Sequence, residues 1–172
     1  MSTRLRVFKL GTECPDKATG LIGTLTHWFV DVDLNIRYIF QPKGLNDEGQ
    51  PVKQLVLEKG RLNITSSQGY EEVEIPSEIL GTIVTDKPTG FTGMAVELVY
   101  HLNGCFHVMI QPEGRLPKTN SPIRSCNFDL RSCTGEMITQ LSEAELKRSK
   151  AKTPSPIGVS FRRDSSEHLG KR

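Results

Sequence analysis

Two histidines and a cysteine lie close together in the second half of the chain, at His101, Cys105 and His107. On a strand, Cys105 and His107 would face the same side, with His101 across the preceding turn. Imidazole and thiolate groups are ligands that zinc accepts. Against a metal site, the first half of the chain carries Asp, Asn and Arg at the corresponding positions. We therefore favour surface histidines beside a buried small thiol, and no bound metal.

The other cysteines raise the question of a disulfide bond. Cys126 and Cys133 are seven residues apart, on what the pattern predicts as neighbouring strands, so a bond between them is conceivable. The N-terminus carries no apolar stretch of the kind that a secretory signal contains, which favours synthesis in the cytoplasm and reduced thiols. We expect thiols that fill the core, with the disulfide as the alternative.

Sequence motifs of the common catalytic sites are absent. The chain contains no G-x-S-x-G, no P-loop, no H-E-x-x-H and no G-x-G-x-x-G, the patterns that position a nucleophile, phosphates, zinc or a dinucleotide. The paired glycines at 20–23 and 90–93 do not precede a predicted helix, so they form no phosphate cradle of the usual kind. The sequence predicts a protein with neither enzymatic activity nor cofactor.

The most informative pattern in the chain is an internal repeat. Residues 10–44 align with residues 80–114 without a gap, at an offset of 70, and beyond Gly44 the offset becomes 71. Because most of the identical residues are turn formers in the same order, we infer a tandem duplication. The identical pairs are Leu10/Leu80, Gly11/Gly81, Thr12/Thr82, Asp16/Asp86, Lys17/Lys87, Thr19/Thr89, Gly20/Gly90, Gly23/Gly93, Gln41/Gln111, Pro42/Pro112 and Gly44/Gly114.

Each copy contains the segment Asp-Lys-x-Thr-Gly, at 16–20 and 86–90. Aspartate accepts hydrogen bonds from nearby backbone amides and glycine adopts a positive φ, so the segment predicts a tight turn. Lys17 and Lys87 would present their charges at equivalent loop tips, where two copies of one loop could grip a partner with two-fold symmetry. The alternative is that these residues only build the turn.

Alternating and β-branched residues predict the strands of each copy. In the first copy they lie at 24–32, 36–41 and 52–57, and in the second at 94–102, 105–111 and 123–128, with closing strands near 61–64 and 132–138. Gly23 and Gly93 stand where the first of these strands begins. A glycine there indicates a bulge or a close backbone approach.

Four or five short strands in about 60 residues predict a small, strongly curled barrel. The predicted fold is mainly β: two tandem SH3-like β-barrels, at 1–66 and 67–138, followed by a short helix and an extended basic tail at 139–172. A pair of split meanders that share one core is the alternative. Because each barrel is near the lower size limit for independent stability, we expect the two to pack together, with Trp28 at that contact or in the ordinary core.

The last part of the chain has a different composition. A capping box at 142–145 predicts a short helix over 143–150, and the Pro, Ser and charged residues after it predict an extended arm. Residues 147–172 contain eight Lys or Arg and two Asp or Glu, so the arm could contact nucleic acid or an acidic protein surface. An apolar group within it could add a strand to the sheet edge of a neighbour. The candidate binding residues of the arm are Ile157, Val159, Phe161, Arg162 and Arg163.

The second copy carries a pattern that resembles a known group of proteins. It reads Asp86-Lys87-x-Thr89-Gly90-Phe91-x-Gly93, then Leu102-Asn103-Gly104-Cys105, Gln111-Pro112 and Asn127-Phe128-Asp129. This resembles a family of small tailed-phage and prophage proteins, each about as long as one copy of the repeat. The first copy fits more loosely, with Leu21 in place of the Phe and without the Gly-Cys. The resemblance implies a phage origin, but the family has no settled activity.

These features predict a non-enzymatic phage structural protein, capsid-decorating or associated with the head or neck, made in the host cytoplasm and located in the virion. The expected partners are the major capsid protein or neighbouring virion subunits, including further copies of this chain. No apolar run reaches the eighteen or so residues of a membrane span, so we expect no membrane partner.

One alternative is an early phage binding module that sequesters a host defence protein or a signalling nucleotide, with Lys17, Lys87, Arg37 or His107 on phosphate. Another is a nucleic-acid-binding accessory protein that uses the basic tail.

Overall fold

The computed structural model of this chain describes residues 3–65 and 69–140, without the side chains of residues 139 and 140. Antiparallel strands dominate it, which confirms a mainly β fold. Within the described ranges the strands close no barrel, and the SH3-like assignment stays a prediction.

The elements are β1 (Thr3–Phe8), β2 (Glu13–Pro15), β3 (Ile22–Asp31), β4 (Ile36–Pro42), β5 (Leu55–Glu58), β6 (Tyr70–Ile75), β7 (Ile83–Asp86), β8 (Thr92–His101), β9 (Phe106–Gln111), β10 (Cys126–Asp129), β11 (Cys133–Thr134) and α1 (Glu136–Gln140), with 3-10 turns at Lys59–Arg61, Ser77–Ile79 and Leu130–Ser132.

Elements of the first copy recur in the second at the offsets read from the sequence. β3 and β8 correspond at an offset of 70, and β5 and β10 at an offset of 71, as do the 3-10 turns that follow them. Each long strand also has a register shift at the same point, between Leu25 and His27 in β3 and between Ala95 and Glu97 in β8. A bulge at equivalent positions bends both strands in the same way.

Strands β5 and β10 begin three residues later than predicted, and a glutamine present in both copies explains the difference. Gln41 Nε2 donates to the carbonyl oxygen of Val52 at 2.8 Å, and Gln111 Nε2 donates to that of Ile123 at 2.9 Å. These carbonyl groups are therefore satisfied by a side chain and not by the strand ladder. Pairing with the neighbouring strand starts only at Leu55 and Cys126.

The closing strands are shorter than predicted. A single bridge between Asp16 and Leu62 stands where a strand was expected near 61–64. The strand expected near 132–138 ends at Thr134, and the chain enters α1 at Glu136. Gly135 between them approaches the neighbouring backbone closely, since a Cβ there would lie 2.8 Å from the carbonyl oxygen of Ile83. The helix predicted over 143–150 and the arm lie outside the described residues. Among the helices that the structure describes, none is long and apolar enough to cross a membrane.

The two copies share one sheet, in the order β10-β9-β8-β3-β4-β5. β3 pairs antiparallel with β8, and Phe29 lies opposite Val99. These two residues correspond in the repeat, so a pseudo-two-fold axis passes between them. The copies are related to each other as the subunits of a two-fold dimer are.

A ribbon of β1 and β6 forms a second junction between the copies, in which Arg4 of β1 donates to Glu74 of β6 at 3.1 Å. Residues of both copies form one buried cluster. Within it Trp28 is fully buried and stacks on Tyr100, with ring centroids 5.1 Å apart, across the β3–β8 junction. The copies therefore pack together as expected, and Trp28 lies both in the core and at their contact.

Candidate functional site on the open face of the sheet

One face of the six shared strands points away from the core. Cross-strand partners lie on the same face of a sheet, and the partners of Phe29 and Val99 form a row across all six strands. We call the surface formed by this row and by His27, His101, Asp31 and Glu97 the open face. From β5 to β10 the row contains Glu58, Arg37, Phe29, Val99, His107 and Asp129.

The row is symmetric in its chemistry, with an acid and a base on each side of an apolar centre. The Arg37 guanidinium lies over the Phe29 ring at 4.6 Å and donates to Glu97 at 2.8 Å. Phe29 and Val99 are 9 % and 5 % exposed, although both lie on the side away from the core. The surrounding polar side chains therefore cover the apolar centre, and what they present to a partner is charge.

One end of the open face is acidic, because Asp31 and Glu97 lie directly opposite each other. Burial raises the pKa of Glu97, and Arg37 opposes that shift. Burial also disfavours the ionised form of Asp31, but hydrogen bonds from Asn35 and from the Asp33 amide hold its pKa below the ordinary value. The single Arg37 leaves this end with negative charge when both carboxylates are ionised.

The other end carries a row of three imidazoles. The ring centroids of His27 and His101 are 5.0 Å apart, and those of His101 and His107 are 4.4 Å apart. Burial lowers the pKa of His27, and burial with the neighbouring His107 and His27 lowers the pKa of His101. Among the described residues the buried Nε2 of His101 has no hydrogen-bond partner.

The cluster differs from the one that the sequence suggested. His101 and His107 do lie together, and His27 of the first copy joins them, whereas the Cys105 sulfur lies 3.9 Å from Arg131 Nη2. Within residues 3–65 and 69–140, no group of three or more His, Cys, Asp or Glu side chains is placed to hold a metal ion. The four cysteines are free thiols in the structure. Cys133 is buried, but Cys126 is exposed, so the expectation that both fill the core is wrong for Cys126.

We expect the stability of the protein to fall as the pH drops below about 6.5. Because the pKa values of His27 and His101 are lower in the folded chain than the ordinary 6.5, the unfolded chain binds these protons first. The stability that these two histidines contribute is fully present above the pKa of the unfolded chain. It is lost as the pH falls toward their lower pKa values in the folded chain. Thermal melts of dilute protein, followed by circular dichroism, should show a melting temperature a few degrees lower at about pH 5.5 than at about pH 7.5. The change should be smaller in His101→Asn; an equal change in the variant and the wild type would contradict the assignment.

The Asp-Lys-x-Thr-Gly segments form the predicted turns. Thr19 Oγ1 donates to Asp16 at 2.6 Å, Thr89 Oγ1 donates to Asp86 at 2.6 Å, and both carboxylates are buried. Each carboxylate also has a partner that lies far away in the sequence, and this partner differs between the two copies. The Arg61 guanidinium binds Asp16 and, together with Thr19, holds its pKa at about 2. Ser132 donates to Asp86 at 2.6 Å and, with Thr89, lowers its pKa.

The candidate residues Lys17 and Lys87 are exposed at the equivalent loop tips. Lys17 Nζ donates to the Gly60 carbonyl oxygen at 3.1 Å. The two loops precede β3 and β8, whose first residues lie on opposite sides of the pseudo-axis, up to about 45 Å apart if the strands were straight. The structure therefore places these lysines near opposite ends of the β3–β8 pair and not side by side. The other candidates, Ile157, Val159, Phe161, Arg162 and Arg163, lie outside the described residues.

Comparison with known proteins found no matching family model, no matching curated protein and no matching solved structure.

Proposed function

We propose that this chain is a non-enzymatic binding protein that docks on neighbouring protein subunits through its open face. The observation that carries the proposal is the row across six strands, in which paired charges flank an apolar centre. Because Phe29 and Val99 are almost fully covered, the charged side chains are what a partner would contact, and charges arranged in this way fix the orientation of a partner. A rigid sheet shared by both copies would keep the row in one geometry for binding.

The biological setting that we propose is a phage particle, with the protein decorating the capsid or associated with the head or neck. The support is the resemblance of the second copy to small phage proteins. Each copy would be an opened SH3-like barrel, in which a short strand, the Asp-Lys-x-Thr-Gly turn and a long bent strand follow one another. The basic arm, with Ile157, Val159 and Phe161, would add a second contact to an adjacent subunit.

The test is the protein content of purified particles. We expect mass spectrometry to find the wild-type chain in them, and to find at least tenfold less of the variant Arg37→Gln/His107→Gln, because both bases of the row are removed. The matched control is Lys53→Gln/Lys118→Gln, which removes two exposed cations away from the open face and should leave incorporation unchanged. Particles without the wild-type chain would overturn the proposal.

A further inference from the structure

We infer that the open face binds a second copy of this chain, face to face, when its histidines are protonated. The inference rests on the proposed function, because it uses the same face. It starts from an asymmetry between the copies: the pseudo-axis exchanges His101 with Asp31 and His27 with Glu97. One end of the face becomes cationic on protonation, and the end related to it by the pseudo-axis is anionic.

The placement of these ends makes the face complementary to itself. His27 lies opposite His101. The acidic residues Asp31 and Glu97 lie four residues away along the same strands, on the other side of Phe29 and Val99. A two-fold axis above the open face, parallel to the sheet and perpendicular to β3 and β8, would place a second copy face to face with the first. The histidine end of each copy would then meet the acidic end of its partner, so both contacts form at once, as in an isologous dimer. The strands of the two sheets would stay roughly aligned, which is a common way for sheets to pack.

The size of the face indicates that this association is weak. Six strands spaced by about 4.8 Å, with about five residues of each, cover roughly 400 Å². Stable complexes bury about 800 Å² on each partner, so contact area alone would not hold two copies together. Charge complementarity then decides whether the pair forms. Copies fixed side by side on a larger assembly would experience an effective concentration on the order of millimolar, at which a weak contact of this kind is occupied.

The charges around the histidine end allow it to become cationic. β4 places the uncharged Ile39 beside His27, and β10 places Asp129 beside His107. Asp129 accepts from Arg131 Nε at 2.9 Å, so its charge is already balanced. Cys105, in the turn before β9, lies near the same Arg131. Among the described residues, the carboxylate beside this end is therefore already paired with an arginine, and carboxylates of a second copy would balance the remaining positive charge of the protonated imidazoles.

The association should have a pH window. It needs protonated histidines, which form only at a pH below the ordinary histidine value because the pKa values of His27 and His101 are lowered in the folded chain. It also needs ionised carboxylates, which are lost in strongly acidic solution. Sedimentation velocity of the full chain over a hundredfold range of concentration measures it directly. We expect the association constant at about pH 6 to be at least tenfold higher than at about pH 8, and to fall again below about pH 4.

Variants identify the groups responsible. His27→Gln/His101→Gln and Glu97→Gln should each lose the increase at pH 6, whereas His168→Gln, which changes the one histidine outside the cluster, should keep it. An equimolar mixture of the first two variants should regain part of the association. The intact histidine end of the Glu97→Gln chain can still meet the intact acidic end of the His27→Gln/His101→Gln chain. Circular dichroism at the same pH checks that each variant is folded.

Two results would overturn the inference: a monomer at both pH values, or an increase that persists in the His27→Gln/His101→Gln variant. Failure of the inference can be told apart from failure of the proposed function. A chain that is incorporated into particles but never self-associates rejects only the inference. A chain that self-associates as expected but is absent from particles rejects only the proposed function.

Discussion

Replacement of Gly93 by alanine is expected to destabilise the protein by about 3–5 kcal/mol or to prevent folding. A Cβ at this position would overlap the carbonyl oxygen of Gln111, and it would lie 2.6 Å from the carbonyl carbon of that residue and 2.7 Å from Pro112 Cα. All three atoms belong to the backbone beside β8, so no side-chain rotation relieves the overlap. The two neighbouring strands would have to separate, which breaks ladder hydrogen bonds and opens the core.

Gly60→Ala is the matched control. Gly60 lies in an exposed 3-10 turn without a positive φ, and a Cβ there meets nothing within 4 Å, so we expect a change of at most about 0.5 kcal/mol. Urea unfolding followed by circular dichroism gives both values. Equal unfolding midpoints for the two variants would mean that the close approach of β8 to its neighbour does not exist.

The role of this glycine could be predicted from its position in the sequence. A glycine at the start of a strand indicates a close approach of backbones, and Gly93 and its counterpart Gly23 both make one. The positive φ of Gly20 and Gly90 likewise follows from the Asp-Lys-x-Thr-Gly pattern, since these residues end tight turns. Such features are local, so the residues that determine them lie within a few positions of one another.

The junctions between the copies could not be predicted in the same way. β1 pairs with β6, which lies almost one full copy later in the sequence. The residues next to β1 in the sequence determine neither which strand it pairs with nor the register of that pairing. β1 contains Arg4 and Arg6, and β6 contains three glutamates, two of which, Glu72 and Glu74, form ion pairs with Arg4. This opposite charge pattern was the available signal, but many other pairings of charged segments would satisfy it equally well.

The histidine end was missed for a geometric reason. Alignment of the repeats compares His101 with Asp31, and this comparison argued against a metal site without showing that His27 is a neighbour. In an antiparallel pseudo-two-fold junction, however, corresponding residues lie at opposite ends, and His101 lies beside His27. The sequence therefore identified which residues correspond but not which residues touch. The neighbours became apparent only once the axis was located between Phe29 and Val99.

Trp28→Ala is expected to destabilise the protein by about 3–5 kcal/mol, because it removes a fully buried indole and leaves a cavity. Trp28 stacks on Tyr100 and meets the Phe106 ring edge-on, with centroids 6.3 Å apart. Since both of these partners belong to the second copy, the loss should weaken the contact between copies as well as the core. Urea unfolding followed by far-ultraviolet circular dichroism measures the change.

Two further measurements distinguish an indole at the junction from an ordinary core residue. Within the part of the chain that the structure describes, the Nε1 donor of Trp28 has no hydrogen-bond partner. Trp28→Phe removes this unpaired donor while keeping an aromatic ring, so we expect it to cost less than about 2 kcal/mol.

Trp28 is also the only tryptophan, and its fluorescence therefore reports on the β3–β8 contact alone. Because one sheet and one core join the copies, the fluorescence transition of the wild type should coincide with the transition seen by circular dichroism. An earlier fluorescence transition would mean that the copies separate before they unfold, and the description of one cooperative unit would then be wrong.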